Sequence, residues 1–453
     1  MNNETSARLS RRQFLAGSTA AVAFGLAQPV LRTASPRRLS SSDKLNIAVV
    51  GCGGRGAEDL KGVSTKNIVA LCDCDARQAA WAFKTYPDAK KYSDWRKMLD
   101  EQGKNLDAVV VGTPDHNHAI VSVTAMRMGK HVYCEKPLAR TIWEARLMAK
   151  TAAENKVVTQ MGTQGHAFEG TRRAVEAIRA GAIGDIREVH VWTDRPGQLW
   201  PQGIPRPTGT PAVPKGLDWD VWLGPAPERP YHPAYVPFKW RGFWDFGTGP
   251  FGDMGVHNFD TVFWALQLGL PSTIQVRESS GVNDETGPAW AIIALHFAAQ
   301  AARGPVKLTW YDGGKLPPEQ LFHGEKRTTN GSLAVGSKGT LYTRDWHGGQ
   351  NKDNMFLLLP RKQYLDYPQP EPTIPRAPGN DHHQEWLAAC KGGPAGHISH
   401  FGYASVLTET LLLGNLALRT GKKIEWDAQS MKARGVPEAD QYIKPQFREG
   451  WTI

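Results

Sequence analysis

Two short segments of the chain carry side chains suited to proton transfer. Lys136 lies between Glu135 and Pro137, immediately after a short apolar run. Asp253 and His257 are four residues apart, ahead of a stretch with helical apolar spacing, so they would share one helix face where the carboxylate can orient or charge the imidazole. Such groups provide general acid–base chemistry. The structural alternatives are a solvated lysine, a helix-capping aspartate and a core histidine.

A glycine-rich loop predicts a dinucleotide-binding site. Gly51, Gly53 and Gly56 form the pattern G-x-G-x-x-G between an apolar run and a helical stretch, and Gly54 and Arg55 complete the loop. In such a loop the first glycine permits a tight turn, the second lets a pyrophosphate approach the backbone, and the third lets helix and strand pack closely. The helix N-terminus supplies amide donors and a positive dipole.

An acidic residue indicates which dinucleotide binds. Asp73 stands seventeen residues after Gly56, at the end of the second apolar run. A carboxylate there accepts hydrogen bonds from the two adenosine ribose hydroxyls and repels a 2′-phosphate, so NAD is favoured over NADP. Asp75 is the competing candidate. Hydride transfer at a hydroxyl-bearing carbon also needs a proton to move at the oxygen, which is a role for Lys136.

A third polar segment follows another apolar run. It contains Thr113, Pro114, His116 and His118. Doubly wound sheets bind ligands at the carboxyl ends of their strands, so we expect this segment to contribute to the cofactor site. Nothing nearby completes a metal-ligand set around the two histidines, and we expect no metal.

Alternating elements would position these residues. Short apolar runs occupy 45–50, 68–72, 108–112, 131–134 and 157–161. Helical patterns between them occupy 76–86, 94–101, 118–129 and 140–154. This alternation predicts βαβ units and a doubly wound parallel sheet that is covered on both faces.

The second half of the chain has a different pattern. Longer segments with alternating character lie at 186–192, 272–277, 289–297, 306–310 and 339–344. With few helices between them, they predict an α/β domain with a large, mostly antiparallel open sheet. A Pro- and Trp-rich stretch at 194–251 predicts a long ordered insertion, and helices are expected at 381–391 and 403–420, the latter ending at Gly421.

The expected organisation has four parts. They are a leader at 1–34, a linker at 35–44, a dinucleotide-binding domain at 45–165 and a second domain at 166–453 whose C-terminal helices can pack back on the first.

These motifs together resemble the Gfo/Idh/MocA family, which is named after glucose-fructose oxidoreductase, inositol dehydrogenase and a rhizopine-catabolism protein. Further matches are Gly162-Thr163-Gln164 and the segment 252–257. The resemblance implies a Rossmann domain and a second domain whose open sheet serves substrate binding and often oligomer contact. It implies that Glu135 reaches the nicotinamide ribose, that Gln164 belongs to the cofactor site, and that Lys136 points at the substrate. Asp253 and His257 would complete the site, and the Lys136–Pro137 bond is expected to be cis.

Aromatic and basic residues of the second domain are substrate-binding candidates. Seven tryptophans lie within 73 residues, namely Trp192, Trp200, Trp219, Trp222, Trp240, Trp244 and Trp264. Because aromatic faces stack on sugar rings while most tryptophans belong to the core, we expect two or three to face a ligand. Trp192 and Trp244 are the chosen candidates, together with Arg195 and, as a further candidate, Arg241.

The N-terminal segment resembles an export signal. Arg11 and Arg12 precede Phe14, Leu15 and an uncharged Ala-rich stretch, the order found in twin-arginine leaders. An accidental arginine pair is the alternative. Part of the net charge of +10 lies in this segment, and the rest is spread without a basic run, so we expect no nucleic-acid partner and no stable membrane insertion. Five cysteines without zinc-type spacing predict no disulfide framework.

Export shapes the expected function. Free dinucleotide is scarce outside the cytoplasm, so an exported, periplasmic enzyme would carry tightly bound NAD and regenerate it in each turnover. We therefore expect a sugar-active, redox-neutral enzyme, with glycoside hydrolysis through transient oxidation of a ring hydroxyl as the favoured version. The alternatives are an ordinary sugar or polyol dehydrogenase, a sugar–sugar oxidoreductase and a non-catalytic sugar-binding protein. An open sheet also predicts a homo-oligomer.

Overall fold

The first half of the chain forms a parallel six-stranded sheet. A computed structural model describes residues 44–346 and 356–453. The strands are β1 (Asn46–Val50), β2 (Asn67–Cys72), β3 (Lys90–Tyr92), β4 (Ala108–Val111), β5 (His131–Cys134) and β6 (Thr159–Met161). Their order is β3-β2-β1-β4-β5-β6, and every neighbouring pair is parallel. This doubly wound order confirms the predicted fold class.

Helices connect these strands and cover both faces of the sheet. They are α1 (Gly54–Gly62), α2 (Ala80–Thr85), α3 (Trp95–Gln102), α4 (Asp115–Arg127) and α5 (Ile142–Asn155). Helix α2 begins four residues later than predicted, because the Asp75 side chain binds the backbone and guanidinium of Arg77 and holds a turn there. Helix α5 begins at a capping box formed by Thr141 and Glu144. The two side chains accept hydrogen bonds from backbone amides that have no partner within the helix.

The second half is built around a nine-stranded mixed sheet. Its strands are β7 (Ile186–Trp192), β8 (Thr273–Ser279), β9 (Ala291–Phe297), β10 (Val306–Tyr311), β11 (Gly331–Gly336), β12 (Thr340–Thr343), β13 (Leu357–Leu359), β14 (Ile424–Asp427) and β15 (Lys432–Ala433). The order is β13-β12-β11-β7-β10-β9-β8-β14-β15. The β7–β10 pair is parallel and the other pairs are antiparallel, as the mostly antiparallel prediction requires.

The helices of the second half lie outside this sheet. They are α6 (Glu169–Arg179), α7 (Trp219–Leu223), α8 (Gly249–Asp253), α9 (Gly255–Asn258), α10 (Asp260–Leu266), α11 (His382–Cys390), α12 (Phe401–Thr420) and α13 (Asp440–Ile443). The predicted insertion at 194–251 holds little regular structure, and its own aromatic cluster orders it, with Trp222, Tyr235, Phe243 and Phe246 buried together.

Helix α11 packs on the parallel sheet although it lies more than 200 residues further along the chain. Trp386 and Leu387 are buried in one hydrophobic cluster with Leu45, Val49 and Tyr133. The described residues all fall within one compact unit, so the boundary at 165/166 stays a prediction.

Helix α12 is long and apolar enough to cross a membrane by length and composition, with a mean hydropathy of 1.2. However, 83% of it is buried inside the protein, as in the core helix of a folded domain. The predicted leader at 1–34 and linker at 35–44 lie outside the described residues. All five cysteines are free thiols.

The end of α12 offers a stability test. Gly421 caps the helix with φ of 65°, a left-handed conformation that disfavours residues with a Cβ. We expect Gly421→Ala to lower the free energy of unfolding by about 1 kcal/mol. Chemical denaturation measures the change, and Gly421→Asn should lose less because asparagine tolerates this conformation. Equal stability of the alanine variant and the original chain would contradict the capping role.

Candidate active site

A cavity of about 620 Å³ lies at the carboxyl ends of β1 and β4, where the strand order reverses. Open α/β sheets bind ligands at this position. Its walls include Gly51, Gly53, Gly54, Thr113 and Pro114. The cavity therefore joins the glycine loop to the segment after β4, as the sequence patterns predict.

The glycine loop is shaped for close approach. Gly51 has φ of +81°, and a Cβ there would lie 2.7 Å from the carbonyl carbon of Gly112. Gly56 does not line the cavity, and a Cβ on it would lie 1.9 Å from the Gly51 carbonyl oxygen. Gly54 begins α1, and a Cβ on it would meet no atom within 4 Å, which leaves its backbone open to a ligand. These features fit a dinucleotide pyrophosphate at the N-terminus of α1.

Asp73 holds this loop from the end of β2. Its Oδ2 accepts hydrogen bonds from the Cys52 and Gly53 amides at 2.8 and 3.2 Å, and it lines the cavity. Burial raises the pKa of Asp73 to about 6, against the opposing effect of these amides. The competing candidate Asp75 also lines the cavity, but both its oxygens bind Arg77 at 2.8 and 2.7 Å. Asp73 Oδ1 also accepts a hydrogen bond from the Asp75 amide at 2.9 Å, so each of the two carboxylates accepts three hydrogen bonds. The direct contact of Asp73 with the glycine loop favours it as the acid for the ribose.

Glu135 lies at the end of β5 within a buried polar network. Its Oε1 accepts a hydrogen bond from Arg55 Nε at 3.1 Å and faces the Tyr133 hydroxyl at 3.4 Å. Burial raises the pKa of Glu135, Asp59 adds to the rise, and Arg55 opposes it. Gln164 lines the same part of the cavity. The hydrogen bond from Arg55 thus connects the glycine loop to Glu135, the residue that precedes Lys136.

Lys136 and Asp253 form a largely buried ion pair at the cavity wall. Lys136 Nζ lies 2.5 Å from Asp253 Oδ1, and Arg241 Nε lies 3.4 Å from the same oxygen. Burial alone would raise the pKa of Asp253, but the charges of Lys136 and Arg241 outweigh it and hold the pKa at about 2. Asp253 is therefore ionised at neutral pH. The Lys136–Pro137 bond is cis, as predicted.

His257 lines the cavity on the side of the second domain. Asp253 ends α8 and His257 lies in α9, so the predicted single helix face is divided between two short helices. The ring of His257 lies 4.7 Å from that of Trp346 in an edge-on arrangement. His257 lowers the pKa of Asp253, but less than Lys136 and Arg241 do. The Asp253 carboxylate therefore interacts more strongly with Lys136 and Arg241 than with the His257 imidazole.

Asp115 is a site residue that sequence reasoning missed. It begins α4, is buried, lines the cavity and accepts a hydrogen bond from the Thr248 hydroxyl at 3.0 Å. Burial raises the pKa of Asp115 to about 7, with Asp253 acting in the same direction. A carboxyl group that titrates near neutral pH can give or take a proton. Its place after Pro114, at a strand end, was a usable signal.

The two histidines of this segment, which were predicted to bind the cofactor, do not line the cavity. His116 is buried, with its ring nitrogens 2.9 and 3.3 Å from the carbonyls of Trp222 and Phe246. His118 is buried with its nitrogens 2.8 Å from the carbonyls of Thr113 and Pro137. His118 therefore links the two loops that reach the cavity.

Neither of the two tryptophans chosen as substrate-binding candidates lines this cavity. Trp192 is completely buried and donates from Nε1 to the Thr328 carbonyl, in a separate aromatic core. Trp244 is 4% exposed and donates to the Asn283 carbonyl. Three other tryptophans of the predicted set line the cavity, namely Trp200, Trp222 and Trp240. Arg195 and Arg241 both line it.

A buried cluster behind the site has metal-type side chains. Asp59, His382 and His383 place potential ligand atoms within 4.8 Å of one another. His382 Nε2 lies 2.7 Å from the Tyr133 hydroxyl, and His383 Nε2 lies 3.1 Å from Asp59 Oδ1. These contacts already use the ring nitrogens that face the cluster. Sequence reasoning missed it because its members lie more than 300 residues apart.

The doubly wound sheet, its glycine loop and the acid at the end of β2 define a dinucleotide-binding oxidoreductase domain. A family model described as an oxidoreductase family with an NAD-binding Rossmann fold matches residues 45–163. A second model of the same family, its C-terminal alpha/beta domain, matches residues 206–374. Together the two ranges cover more than half of the chain. The chain belongs to the Gfo/Idh/MocA oxidoreductase family, and its first domain binds NAD.

Relatives with assigned names match about a third of the chain or less. The chain is 31% identical to inositol 2-dehydrogenase of Salmonella typhimurium over 152 residues, which is 32% of this chain and 45% of that protein. It is 31% identical to levoglucosan dehydrogenase of Pseudarthrobacter phenanthrenivorans over 116 residues, 26% of this chain and 29% of that protein. The matches thus span less than half the length of these relatives.

A solved structure shares most of the fold. The WlbA dehydrogenase of Bordetella pertussis, solved in complex with NADH and UDP-GlcNAcA, superposes with a TM-score of 0.57 at 18% identity. The match covers 85% of this chain and 99% of that chain. At this identity the likeness concerns the fold.

Asp73 gives the cofactor site a testable pH dependence. The carboxylate must be ionised to accept both ribose hydroxyls, and its raised pKa of about 6 means that the folded protein increasingly holds it protonated below that pH. We expect NAD affinity to fall as pH drops from 7 through about 6, by up to about tenfold per pH unit. Calorimetric titration measures this. Asp73→Asn should bind more weakly and without the pH dependence, and an unchanged slope in that variant would contradict the assignment.

Proposed function

We propose that this protein catalyses NAD-dependent hydride transfer at a hydroxyl-bearing carbon of a sugar or polyol. The observation that carries the proposal is the Lys136–Asp253 ion pair at 2.5 Å, in the cavity that the glycine loop also lines. Bound NAD supplies the hydride acceptor or donor. The protein must then move a proton at the substrate oxygen.

Three residues have separate roles in proton transfer. Lys136 binds the substrate oxygen and donates or accepts its proton. Asp253, ionised at neutral pH, fixes the position of the Lys136 amine. Asp115 titrates near pH 7 in the same cavity, so it can exchange the proton onward.

The substrate class is supported by the cavity walls and by the relatives. Trp200, Trp222 and Trp240 offer aromatic faces, and Arg195 and Arg241 offer donors for hydroxyls. Two relatives carry the names inositol 2-dehydrogenase and levoglucosan dehydrogenase. Both names denote oxidation of ring-bearing polyhydroxy compounds.

Turnover assays test this proposal. The purified protein with added NAD should produce NADH from at least one member of a panel of inositols, aldoses and anhydrosugars. NAD binding is measured separately by calorimetry. Normal NAD binding without turnover of any panel member, in either direction, would favour the non-catalytic sugar-binding alternative.

A second candidate is redox-neutral glycoside hydrolysis with retained NAD. The observation that favours it is the presence of Asp115 and His257 beside Lys136, which is more acid–base capacity than a single hydride transfer needs. In this reaction a ring hydroxyl is oxidised, a neighbouring carbon loses a proton, and the glycosidic C–O bond breaks. Water then adds to the ring and the carbonyl is reduced again, so no net NADH forms.

Nucleotide content separates the two candidates. If turnover is redox-neutral, protein purified without NAD should contain about one NAD per chain and cleave aryl glycosides without added cofactor. Accumulation of NADH only with added NAD would instead identify a dehydrogenase. Turnover that needs two sugars and forms no net NADH would identify a sugar–sugar oxidoreductase.

Export through the twin-arginine pathway and a homo-oligomeric state remain part of this proposal. Export is supported by the Arg11–Arg12 pair ahead of an apolar stretch. A fusion of residues 1–34 to a folded reporter should reach the periplasm, and an Arg11→Lys, Arg12→Lys fusion should not. Light scattering should give a mass that is a multiple of the 49.9 kDa chain or of its processed form.

A further inference from the structure

A second cavity of about 710 Å³ lies away from the glycine loop. It lies between the segment that begins α5, helix α12 and the C-terminal residues around α13. Trp244, a candidate from the sequence for substrate binding, forms part of its wall. Its size is typical of cavities that hold small metabolites.

Three cations face this cavity. Arg419 stacks on Tyr442 at 3.8 Å and lies 5.4 Å from the Trp244 ring. Arg140 donates to the Trp244 carbonyl at 3.2 Å, while its buried Nε has no hydrogen-bond partner in the described part of the chain. Lys444, which is exposed, lies 5.0 Å from the Trp143 ring.

The carboxylates of the cavity do not neutralise these cations. Asp245 forms its ion pair with Arg229, and Asp440 forms its ion pair with Lys432. Within residues 44–346 and 356–453, Arg419 has neither a hydrogen bond nor an ion pair.

The environment of Arg419 is unfavourable for an isolated charge. Burial, with the charge of Arg140 acting in the same direction, lowers the pKa of Arg419 to about 10 against the opposing effects of Tyr442, Asp245 and Asp284. Burying a guanidinium without a partner costs free energy, and placing a second one nearby adds repulsion. A bound anion would remove both costs, and a guanidinium binds carboxylate or phosphate through paired hydrogen bonds.

We propose that this cavity is a binding site for a small organic anion that carries a carboxylate or phosphate group. Arg419 and Arg140 bind the anionic group, and Lys444 contributes at the mouth of the cavity. The rings of Tyr442 and Trp244 hold the guanidinium of Arg419 and pack against the rest of the ligand. This site is separate from the catalytic proposal and does not depend on it.

Calorimetric titration of the NAD-saturated protein tests the site, because NAD occupies the other phosphate-binding cavity. The probes are inorganic phosphate and citrate, each at constant ionic strength set with sodium chloride. Binding of phosphate, of citrate or of both in the millimolar range or tighter is expected, and the comparison shows which group the site prefers. Absence of binding by both probes would overturn the proposal.

Variants assign the binding to the cavity. Arg419→Met should lower the affinity for the probe by about tenfold or more, because one charge-assisted interaction is lost. Lys444→Gln, at an exposed position that tolerates substitution, should weaken it several-fold and keeps the test valid if the arginine variant does not fold. Arg187→Met, an exposed arginine on β7, is the matched control and should bind normally. Equal binding by Lys444→Gln and the unchanged chain, together with equal binding by any folded Arg419→Met protein, would place the anion elsewhere and overturn the assignment.

Discussion

Replacing Lys136 with methionine is expected to lower kcat by about 10²- to 10⁴-fold, the usual contribution of a positioned acid–base group. Methionine keeps most of the volume of the lysine side chain but removes the amine that lies 2.5 Å from Asp253. Asp253 keeps Arg241 as a partner, so the fold should survive. NAD binding should change little, because the glycine loop and Asp73 are untouched.

The measurement pairs steady-state kinetics with calorimetric titration of NAD. Lys61→Met, at an exposed position on α1, is the control and should keep full activity. A Lys136→Met protein that binds NAD and retains full kcat would remove Lys136 from the chemistry. A protein that loses NAD binding would show instead that Lys136 acts on the cofactor.

Replacing Gly56 with alanine is expected to damage the cofactor site more than any other single-methyl change in the glycine loop. The added Cβ would lie 1.9 Å from the Gly51 carbonyl oxygen, and backbone on both sides prevents an easy escape. Overpacking of this kind costs about 3 kcal/mol of unfolding free energy. Because β1 and α1 must separate, NAD affinity should also fall about a hundredfold, which corresponds to a similar free energy.

Gly129→Ala is the matched control for this loss. Gly129 follows α4 of the first domain, has φ of +73° and would place its Cβ in open space. It should lose about 1 kcal/mol from backbone strain and keep normal NAD binding. Similar stability and NAD affinity in the two variants would contradict the close-packing role of Gly56.

The parallel sheet could be predicted because its strands are short, uninterrupted apolar runs separated by helical patterns. Strand β3 was missed, since Lys90–Tyr92 is a polar edge strand with little burial to mark it. In the second sheet, β11 contains two glycines and β15 has two residues, so neither shows an alternating pattern. Their pairing depends on neighbours that the local sequence does not reveal.

The residues of the candidate site likewise differ in whether the sequence alone could place them. Gly51 and Asp73 could be assigned to the cofactor site from the spacing of the glycine motif, and Lys136 to the substrate site from the family resemblance. The contact between Arg241 and Asp253 could not, since it depends on how the long insertion folds. The same holds for the tryptophans, because hydrophobicity makes each a candidate for both core and ligand. Trp192 is completely buried and belongs to the core.

The position of α11 bears on the order in which the protein can mature during synthesis. The Tyr133 hydroxyl lies 3.4 Å from Glu135 Oε1 at the cofactor site and 2.7 Å from His382 Nε2 of α11. When the six parallel strands have been synthesised, α11 has not yet been made. One face of the parallel sheet therefore lacks the helix that covers it in the folded protein. Until residue 390 has emerged, Leu45, Val49 and Tyr133 lack part of their apolar cover. We therefore expect the nascent chain to capture its cofactor stably only after α11 has been made.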